Sequence, residues 1–238
     1  MAITFIWFDL GYTLLYQTRE QPLRAVLAEL GHDIALERLE REYHLVDKLF
    51  MREYPGVFGR DPDTFAPWFL GVLNHRLGIR TDLCRTWQRL KQLMTADHAG
   101  WLPFEGVAEA LADLRRRGYR LGVITNWDPS ARKLLAVRGL DGFFEQVVVS
   151  CEVGCEKPDP RIFELAAAAA GVRSAECLYV GDNYYVDTVG AREAGMQSIV
   201  VNRFGRLGVE EIADAPVVAH VAEVAGWLEA ARAHPAGS

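Results

Sequence analysis

The sequence lacks the features of a membrane-spanning or exported protein. It has no apolar run of about 18 residues, and its N-terminus lacks a basic segment followed by an apolar stretch and a small-residue cleavage site. Cysteine is scarce, with four in 238 residues, and no histidine lies near enough to Cys151 and Cys155 to suggest a zinc cluster. These absences favour a cytoplasmic protein with reduced thiols.

Basic residues are fewer than acidic residues. The chain has 26 Lys and Arg against 32 Asp and Glu, a net charge of −6, which argues against non-specific binding of nucleic acid. Half of the residues are hydrophobic, so 238 residues suffice for a large α/β domain or for a core domain with a smaller partner. We therefore expect no nucleic-acid partner and no membrane partner, and the sequence leaves open whether the protein is a monomer or a dimer.

Residues 16–99 show almost only helical periodicity. Four stretches repeat apolar side chains at helical spacing, and turn-forming residues separate them. The stretches are 23–30, 39–50, 65–73 and 83–94. This pattern predicts a four-helix insert.

Outside the insert, short apolar runs alternate with helical stretches. The runs are 3–8, 121–124, 147–149, 178–180 and 198–201. Such alternation predicts an α/β fold with a doubly wound, Rossmann-like parallel sheet. Asp128-Pro129 and Asp159-Pro160 each resemble a helix start, with aspartate at the N-cap and proline at the first helical position. We predict a core domain of residues 1–15 and 100–238 and a small helical cap domain of residues 16–99.

The loops after the predicted strands carry the reactive side chains. In a doubly wound sheet these loops meet along one edge, where open α/β proteins build their sites. The side chains, in chain order, are those of Asp9, Thr125, Asn126, Lys157, Asp182 and Asp187. A carboxylate nucleophile, a hydroxyl, an amine and further carboxylates would thus come together from distant parts of the sequence.

Four motifs resemble those of the haloacid dehalogenase superfamily. They are Asp-Leu-Gly-Tyr-Thr-Leu at 9–14, Val-Ile-Thr-Asn at 123–126, Glu-Lys-Pro-Asp-Pro-Arg-Ile-Phe at 156–163 and Val-Gly-Asp-Asn-Tyr-Tyr-Val-Asp at 180–187. The resemblance spans essentially the whole chain except the insert. It implies a hydrolase with a helical cap inserted after the first motif.

The resemblance also implies a nucleophile and a metal site. Asp9 would attack the phosphoryl group of the substrate, and Mg²⁺ would be held by Asp9, the backbone carbonyl of Gly11 and Asp182. Asp187 would act through a water molecule or support the other ligands. A divalent cation at this place would offset the repulsion between an anionic nucleophile and an anionic phosphate.

The same resemblance assigns the phosphate contacts. Thr125 and the backbone amide of Asn126 would bind the non-bridging oxygens, and Lys157 would add a positive charge. The implied activity is that of a Mg²⁺-dependent phosphatase acting on a small phosphorylated metabolite through an aspartyl-phosphate.

Gly11 departs from the family pattern. In the family's phosphatases a second aspartate stands two residues after the nucleophile, protonates the leaving group and later activates water. General acid–base help of this kind is typically worth ~10²–10⁴ in rate. Glycine keeps the carbonyl that would bind the metal but has no side chain for the proton transfers. We therefore expect good leaving groups, such as aryl phosphates, to be cleaved much faster than alkyl phosphates.

Two alternatives stay open. Dehalogenases of the superfamily also lack the second aspartate, but they work without Mg²⁺, and Tyr12 stands one position after the place where they carry a tyrosine. A phosphonate hydrolase is a variant of this alternative and would need a Schiff-base lysine in the cap, where the context of Lys48 does not match. The other alternative is a catalytically weakened phosphate-binding protein. A phosphomutase is least favoured, because its chemistry depends on the second aspartate.

The insert offers few functional signals. His44 and Lys48 stand four residues apart on a predicted helix, which we interpret as a solvated helix face. Arg52 and Arg60 could bring positive charge to an acidic substrate, but exposed arginines are usually only solvated.

Overall fold

The computed structural model describes residues 2–94 and 100–233. Within these residues the strands are β1 Phe5–Phe8, β2 Leu15–Gln17, β3 Trp101–Pro103, β4 Arg120–Thr125, β5 Gln146–Val149, β6 Cys177–Gly181, β7 Gln197–Val201 and β8 Val217–Val218. The helices are α1 Glu20–Glu29, α2 Leu36–Glu53, α3 Pro62–Leu77, α4 Leu83–Leu93, α5 Val107–Arg116, α6 Ala131–Val137, α7 Ser150–Val153, α8 Pro160–Ala170, α9 Val189–Glu193 and α10 Val224–Ala233.

The main sheet is parallel and has the strand order β5-β4-β1-β6-β7-β8. β1 lies in the centre, and Phe8 at its end is level with Val123 on β4 and Val180 on β6. The strand order reverses at β1, and such a reversal opens a crevice at the carboxyl ends of the strands. The predicted α/β class with a doubly wound parallel sheet is confirmed. β8 was not predicted, because two residues are too short to show a period.

The strands are apolar because both faces of the sheet are covered, as is usual for parallel sheets. All four residues of β1 are buried, and the rings of Phe5 and Trp7 stack with centroids 4.4 Å apart. On one face these rings share a cluster with Tyr179 of β6 and with Phe163 of α8. The middle of the sheet is therefore a rigid base for the loops that follow its strands.

The chain divides into two compact units. One contains the residues up to Tyr16 and from Pro103 onward, and the other is Gln17–Leu102. The boundaries predicted from the sequence differ from these by one residue at the first crossing and by three at the second. That the second unit serves as a cap for a site in the first stays a prediction.

The unit Gln17–Leu102 contains the four helices predicted for the insert, α1 to α4. Their apolar stripes meet in one core. Fully or almost fully buried members of this core include Leu23, Leu39, Phe50, Leu73 and Leu90. The periodicity of the sequence thus indicated these helices correctly, because each one buries its apolar stripe against the others.

The interpretation of His44 and Lys48 as a solvated face is wrong. His44 is 9% exposed and Lys48 is 6% exposed, and Asp47 between them is buried as well. Asp47 forms an ion pair with Arg19, and the ammonium of Lys48 lies 3.4 Å from the Met51 sulfur. The polarity of a sequence segment does not reveal that its charged side chains have buried partners, so the sequence alone gives no sign of this burial.

Of the two predicted helix starts, one is confirmed and one is wrong. Asp159 caps α8, accepts a hydrogen bond from the Arg161 amide at 2.9 Å, and is followed by proline at the first helical position. Asp128 instead accepts a hydrogen bond from the Ser130 amide at 2.8 Å, and α6 begins only at Ala131. The Asp128 carboxylate therefore stabilises the turn before the helix.

Among residues 2–94 and 100–233, no helix is both long enough and apolar enough to cross a membrane.

Candidate active site

Strand ends place the candidate residues at the crevice. Asp9 follows β1 directly, Thr125 is the last residue of β4, and Asp182 follows β6. Lys157 lies in the segment between α7 and α8, and Asp187 lies in a π-helical turn, Tyr184–Thr188. All five are at most 8% exposed. The structure therefore buries a lysine and three aspartates, which is costly unless these charges have partners.

The three aspartates form a cluster. Asp9, Asp182 and Asp187 each offer a carboxylate oxygen, and these oxygens all lie within 4.8 Å of one another. Carboxylate oxygens are the ligands that Mg²⁺ takes in proteins, usually together with water. The donor set thus fits a hard divalent cation, whose charge would offset that of the carboxylates.

Lys157 contacts two members of this cluster, Asp9 and Asp187. Its ammonium nitrogen lies 2.6 Å from Asp9 Oδ1 and 2.6 Å from Asp187 Oδ1, and it donates a third hydrogen bond to the Tyr179 hydroxyl at 2.8 Å. Burial acts to lower the pKa of Lys157, but the Asp187 and Asp9 carboxylates outweigh it and hold this pKa above its ordinary value. Lys157 is therefore charged at neutral pH.

The carboxyl of Asp9 is perturbed in the other direction. Burial raises the pKa of Asp9, the Lys157 charge opposes this rise, and the Asp187 and Asp182 carboxylates add to it. Burial is the largest cause of the rise in the pKa of Asp9, and the two neighbouring carboxylates reinforce it. The cluster thus favours binding of a cation or a proton.

Asp187 is fixed by its surroundings. The backbone amide of Asn183 donates to Oδ2 of Asp187 at 3.1 Å, while Oδ1 faces Lys157. Gly181 makes room for this carboxylate, because a Cβ at position 181 would lie 2.3 Å from Asp187 Oδ2. The Gly-Asp pair at 181–182 therefore has a steric reason in addition to its chemical one.

The side chain of Asn126 holds the backbone of Lys157. Its Nδ2 donates to the Lys157 carbonyl, and its Oδ1 accepts from the Lys157 amide, both at 2.8 Å. α9 packs close to the same segment, since a Cβ at Gly190 would lie 2.4 Å from the Pro158 carbonyl oxygen. The loop after β4 thus fixes the segment that carries Lys157. The sequence did not predict that the Asn126 side chain binds the backbone of Lys157.

The loop after Asp9 turns sharply. Tyr12 has a φ of 56°, in the left-handed region that non-glycine residues rarely adopt, and its amide donates to the Leu15 carbonyl at 2.6 Å. The amides of Leu14 and Leu15 both donate to the Leu10 carbonyl, at 3.1 and 2.9 Å. Gly11 lies inside this turn and brings no side chain to Asp9.

Tyr179 is the residue that sequence reasoning missed. It stands within the apolar run 178–180, and the sequence indicates only a strand residue at this position. Its hydroxyl contacts Lys157 and donates to the Ile124 carbonyl at 3.0 Å. Burial, and then the Asp187 and Asp9 carboxylates, raise the pKa of Tyr179 well above its ordinary value. A tyrosine within an otherwise aliphatic strand, two residues before Gly181, was the available signal.

Comparison with known proteins adds sequence relatives. The family model described as haloacid dehalogenase-like hydrolase matches residues 6–195 of the chain. A glyceraldehyde 3-phosphate phosphatase of Methanothermobacter thermautotrophicus is 42% identical over 203 residues, which cover 83% of this chain and 74% of the relative.

Solved structures share the fold. The HAD-hydrolase YfnB of Bacillus subtilis, described as bound to magnesium, has a TM-score of 0.64 at 19% identity and covers 96% of this chain and 99% of its own. The L-2-haloacid dehalogenase RSc1362 has a TM-score of 0.62 at 20% identity and covers 96% of this chain and 100% of its own. At these identities the likeness concerns the fold alone.

Proposed function

Because the chain belongs to the haloacid dehalogenase-like hydrolase family, we propose that it is a Mg²⁺-dependent phosphatase that uses Asp9 as its nucleophile. The observation that carries this proposal is the buried cluster in which Lys157 contacts Asp9 while the Asp182 and Asp187 carboxylates lie close by. Such a cluster suits the attack of one anion on another, because positive charge can be placed where the two meet.

The proposed metal ligands are Asp9, Asp182 and the backbone carbonyl of Gly11, with Asp187 acting through a water molecule. When bound, Mg²⁺ would polarise the phosphoryl group and offset part of its charge. Thr125 and the Asn126 backbone amide would bind the non-bridging phosphate oxygens, and Lys157 would supply the second positive charge. The buried cluster of three carboxylates supports this cofactor, because carboxylate oxygens are ligands that Mg²⁺ takes in proteins.

The first chemical step would be attack by a carboxylate oxygen of Asp9 on phosphorus. A bond from that oxygen to phosphorus forms, and the ester bond to the leaving oxygen breaks with its electron pair. Position 11 has no side chain that could donate a proton, so the leaving group takes its proton from water. The rate should therefore depend steeply on how well the leaving group carries negative charge.

The second step would be hydrolysis of the aspartyl-phosphate. Water attacks phosphorus, the bond to Asp9 breaks, and inorganic phosphate leaves with Asp9 restored. Position 11 again offers no base to take the proton from water. We therefore expect this step to be slow and the phosphorylated protein to accumulate.

For the substrate we propose a small phosphorylated metabolite. The relative from Methanothermobacter thermautotrophicus, which aligns with 83% of this chain, is named for glyceraldehyde 3-phosphate. That compound and other short phosphorylated metabolites are the first to test.

The direct test is phosphate release from an aryl phosphate and from a panel of alkyl phosphates, with Mg²⁺ and with EDTA. We expect release that needs Mg²⁺, is much faster with the aryl phosphate, and disappears in Asp9→Asn. Equal kcat/KM values on both classes would contradict the missing-acid account, because kcat/KM reflects the steps up to phosphoryl transfer. Chloride release from a 2-haloacid in EDTA would instead favour the dehalogenase alternative.

Substituting Gly11→Asp separates a weakened enzyme from a binding protein. The substitution restores a carboxyl at the position of the usual acid, so activity on alkyl phosphates should rise by up to ~10²–10⁴. Gly142→Ala is the control, because a Cβ there would meet nothing within 4 Å. If neither the original chain nor Gly11→Asp releases phosphate, the binding-protein alternative is favoured.

A further inference from the structure

Tyr179 is placed to act on Lys157. It lies in β6, fully buried, and its ring packs edge-on against Phe163 with centroids 5.1 Å apart. Its hydroxyl extends from this core to the Lys157 ammonium at 2.8 Å. The ring is therefore held rigidly by packing, and the position of the hydroxyl is fixed with it.

The hydrogen bonds of the Lys157 ammonium are complete when Tyr179 is counted. An ammonium group has three N–H donors and no acceptor. Asp9 Oδ1 and Asp187 Oδ1 accept two of them at 2.6 Å each, and the Tyr179 hydroxyl accepts the third at 2.8 Å. All three directions around the nitrogen are thus set by buried acceptors.

The phenolic proton of Tyr179 has a separate acceptor. A tyrosine hydroxyl has one proton and also accepts hydrogen bonds. Two acceptors face it, the Ile124 carbonyl oxygen at 3.0 Å and Asp187 Oδ1 at 3.3 Å, and the shorter contact is the one to Ile124. The oxygen of the hydroxyl is then left to accept from Lys157, and the bond to Ile124 ties it to the strand that ends in Thr125.

We infer that Tyr179 is a positioning residue, which holds the Lys157 ammonium against Asp9 and links it to the carboxyl end of β4. Asn126 holds the backbone of Lys157 and Tyr179 holds its tip, so the lysine is fixed at both ends. With phenylalanine at 179 the third N–H would be buried without this acceptor, which is unfavourable. The ammonium would then be held by the Asp9 and Asp187 carboxylates alone and would be less firmly oriented.

The first experiment observes Lys157 directly. The chain has four lysines, Lys48, Lys91, Lys133 and Lys157, so the side-chain ammonium signals in ¹H–¹⁵N NMR spectra of the metal-free full chain are few. We expect the Lys157 signal, assigned by its loss in Lys157→Met, to be protected from exchange with water. In Tyr179→Phe its exchange should be about 10- to 100-fold faster, in line with the loss of one hydrogen bond to a charged group.

Tyr119→Phe is the matched control. Tyr119 is also buried, and it precedes β4 at the opposite end from Thr125. It should leave the Lys157 signal unchanged. Unchanged exchange of Lys157 in Tyr179→Phe would overturn the inference, because a tyrosine that only packs the core would give that result.

The consequence for catalysis rests on the proposed function and is measured separately. Tyr179→Phe should lower kcat/KM for an aryl phosphate about 10- to 100-fold, and Tyr119→Phe should leave kcat/KM unchanged. An unchanged kcat/KM in Tyr179→Phe would overturn the positioning role in the reaction. A wild-type chain without phosphatase activity would count against the proposed function, while the NMR result would still decide the contact between Tyr179 and Lys157.

A double-mutant cycle covers the case in which Tyr179→Phe is unstable. If Tyr179 acts through Lys157, the loss of stability on Tyr179→Phe should be several-fold smaller in the Lys157→Met background. An equal loss in both backgrounds would mean that the hydroxyl acts independently of the lysine, which overturns the inference.

Discussion

Replacing Lys157 with methionine would remove the charge that holds Asp9 and Asp187 in the site. Methionine keeps an unbranched side chain of similar length but has no charge and no N–H donor. In the metal-free protein, three carboxylates and one ammonium have a formal charge of −2, which becomes −3 in Lys157→Met. The substitution therefore leaves buried carboxylates without their cation.

The expected loss of unfolding free energy is about 3–5 kcal/mol, the usual result of removing one partner from a buried ion pair. The geometry gives the same scale. Two carboxylate charges no more than 4.8 Å apart repel by ~3 kcal/mol or more at an effective dielectric constant of ~20. Proton binding limits this cost, because the loss of Lys157 raises the pKa of Asp9 further.

The loss should therefore be larger at pH 8 than at pH 6. An acid whose pKa is raised by folding stabilises the fold below its unfolded pKa, and this contribution is lost as the pH rises through the folded value. Mg²⁺ should restore much of the stability, since an ion that binds the folded state stabilises it by mass action.

The assay is urea unfolding of wild type and Lys157→Met at both pH values, with EDTA and with Mg²⁺. Lys91→Met is the matched control, because the Lys91 ammonium lies 2.7 Å from Asp63 Oδ1 but both side chains are largely exposed. It should change stability little and without dependence on Mg²⁺. If Lys157→Met behaved like Lys91→Met, the electrostatic account of the site would be refuted.

Two further predictions concern a glycine and a buried carboxyl. Gly181→Ala should displace Asp187 and lower phosphatase kcat at least about 10-fold, whereas Gly142→Ala should not; equal activities would contradict the steric account. Burial raises the pKa of Asp47, against the opposing charge of Arg19, from 3.8 to about 6. Relative to Asp47→Asn, the wild type should therefore lose about 2 kcal/mol of unfolding free energy between pH 4 and pH 7. Urea unfolding at both pH values measures this difference, and parallel pH profiles would contradict it.

The sheet and the four helices of the insert could be predicted from the sequence because they leave different patterns. The buried strands are short apolar runs, and the helices repeat apolar residues at helical spacing. The strand that ends before Asp9 and the strand that ends before Asp182 are short apolar runs, and the topology of parallel sheets fixes where their ends lie. That topology alone indicated that distant carboxylates would meet at one edge. The chemical roles assigned to them stay predictions until activity is measured.

Other features depend on contacts that no local pattern encodes. The hydroxyl of Tyr179 meets Lys157 and a carbonyl of β4, which lies on the other side of β1. In an apolar strand a tyrosine is expected only to pack, so its polar contact was not predicted. The buried polar stripe around Asp47 was missed for a related reason, since hydropathy treats a charge as exposed whether or not Arg19 lies beside it.

The proposed mechanism requires Asp9 to form a covalent bond to the phosphoryl group. The most direct measurement is acid quenching of the wild-type chain during turnover of an aryl phosphate with Mg²⁺, followed by mass spectrometry of the protein and its peptides. We predict one added phosphoryl group, located on Asp9, that accumulates because Gly11 offers no base for its hydrolysis. Phosphate release without any phosphorylated protein, or phosphorylation at another residue, would contradict the account.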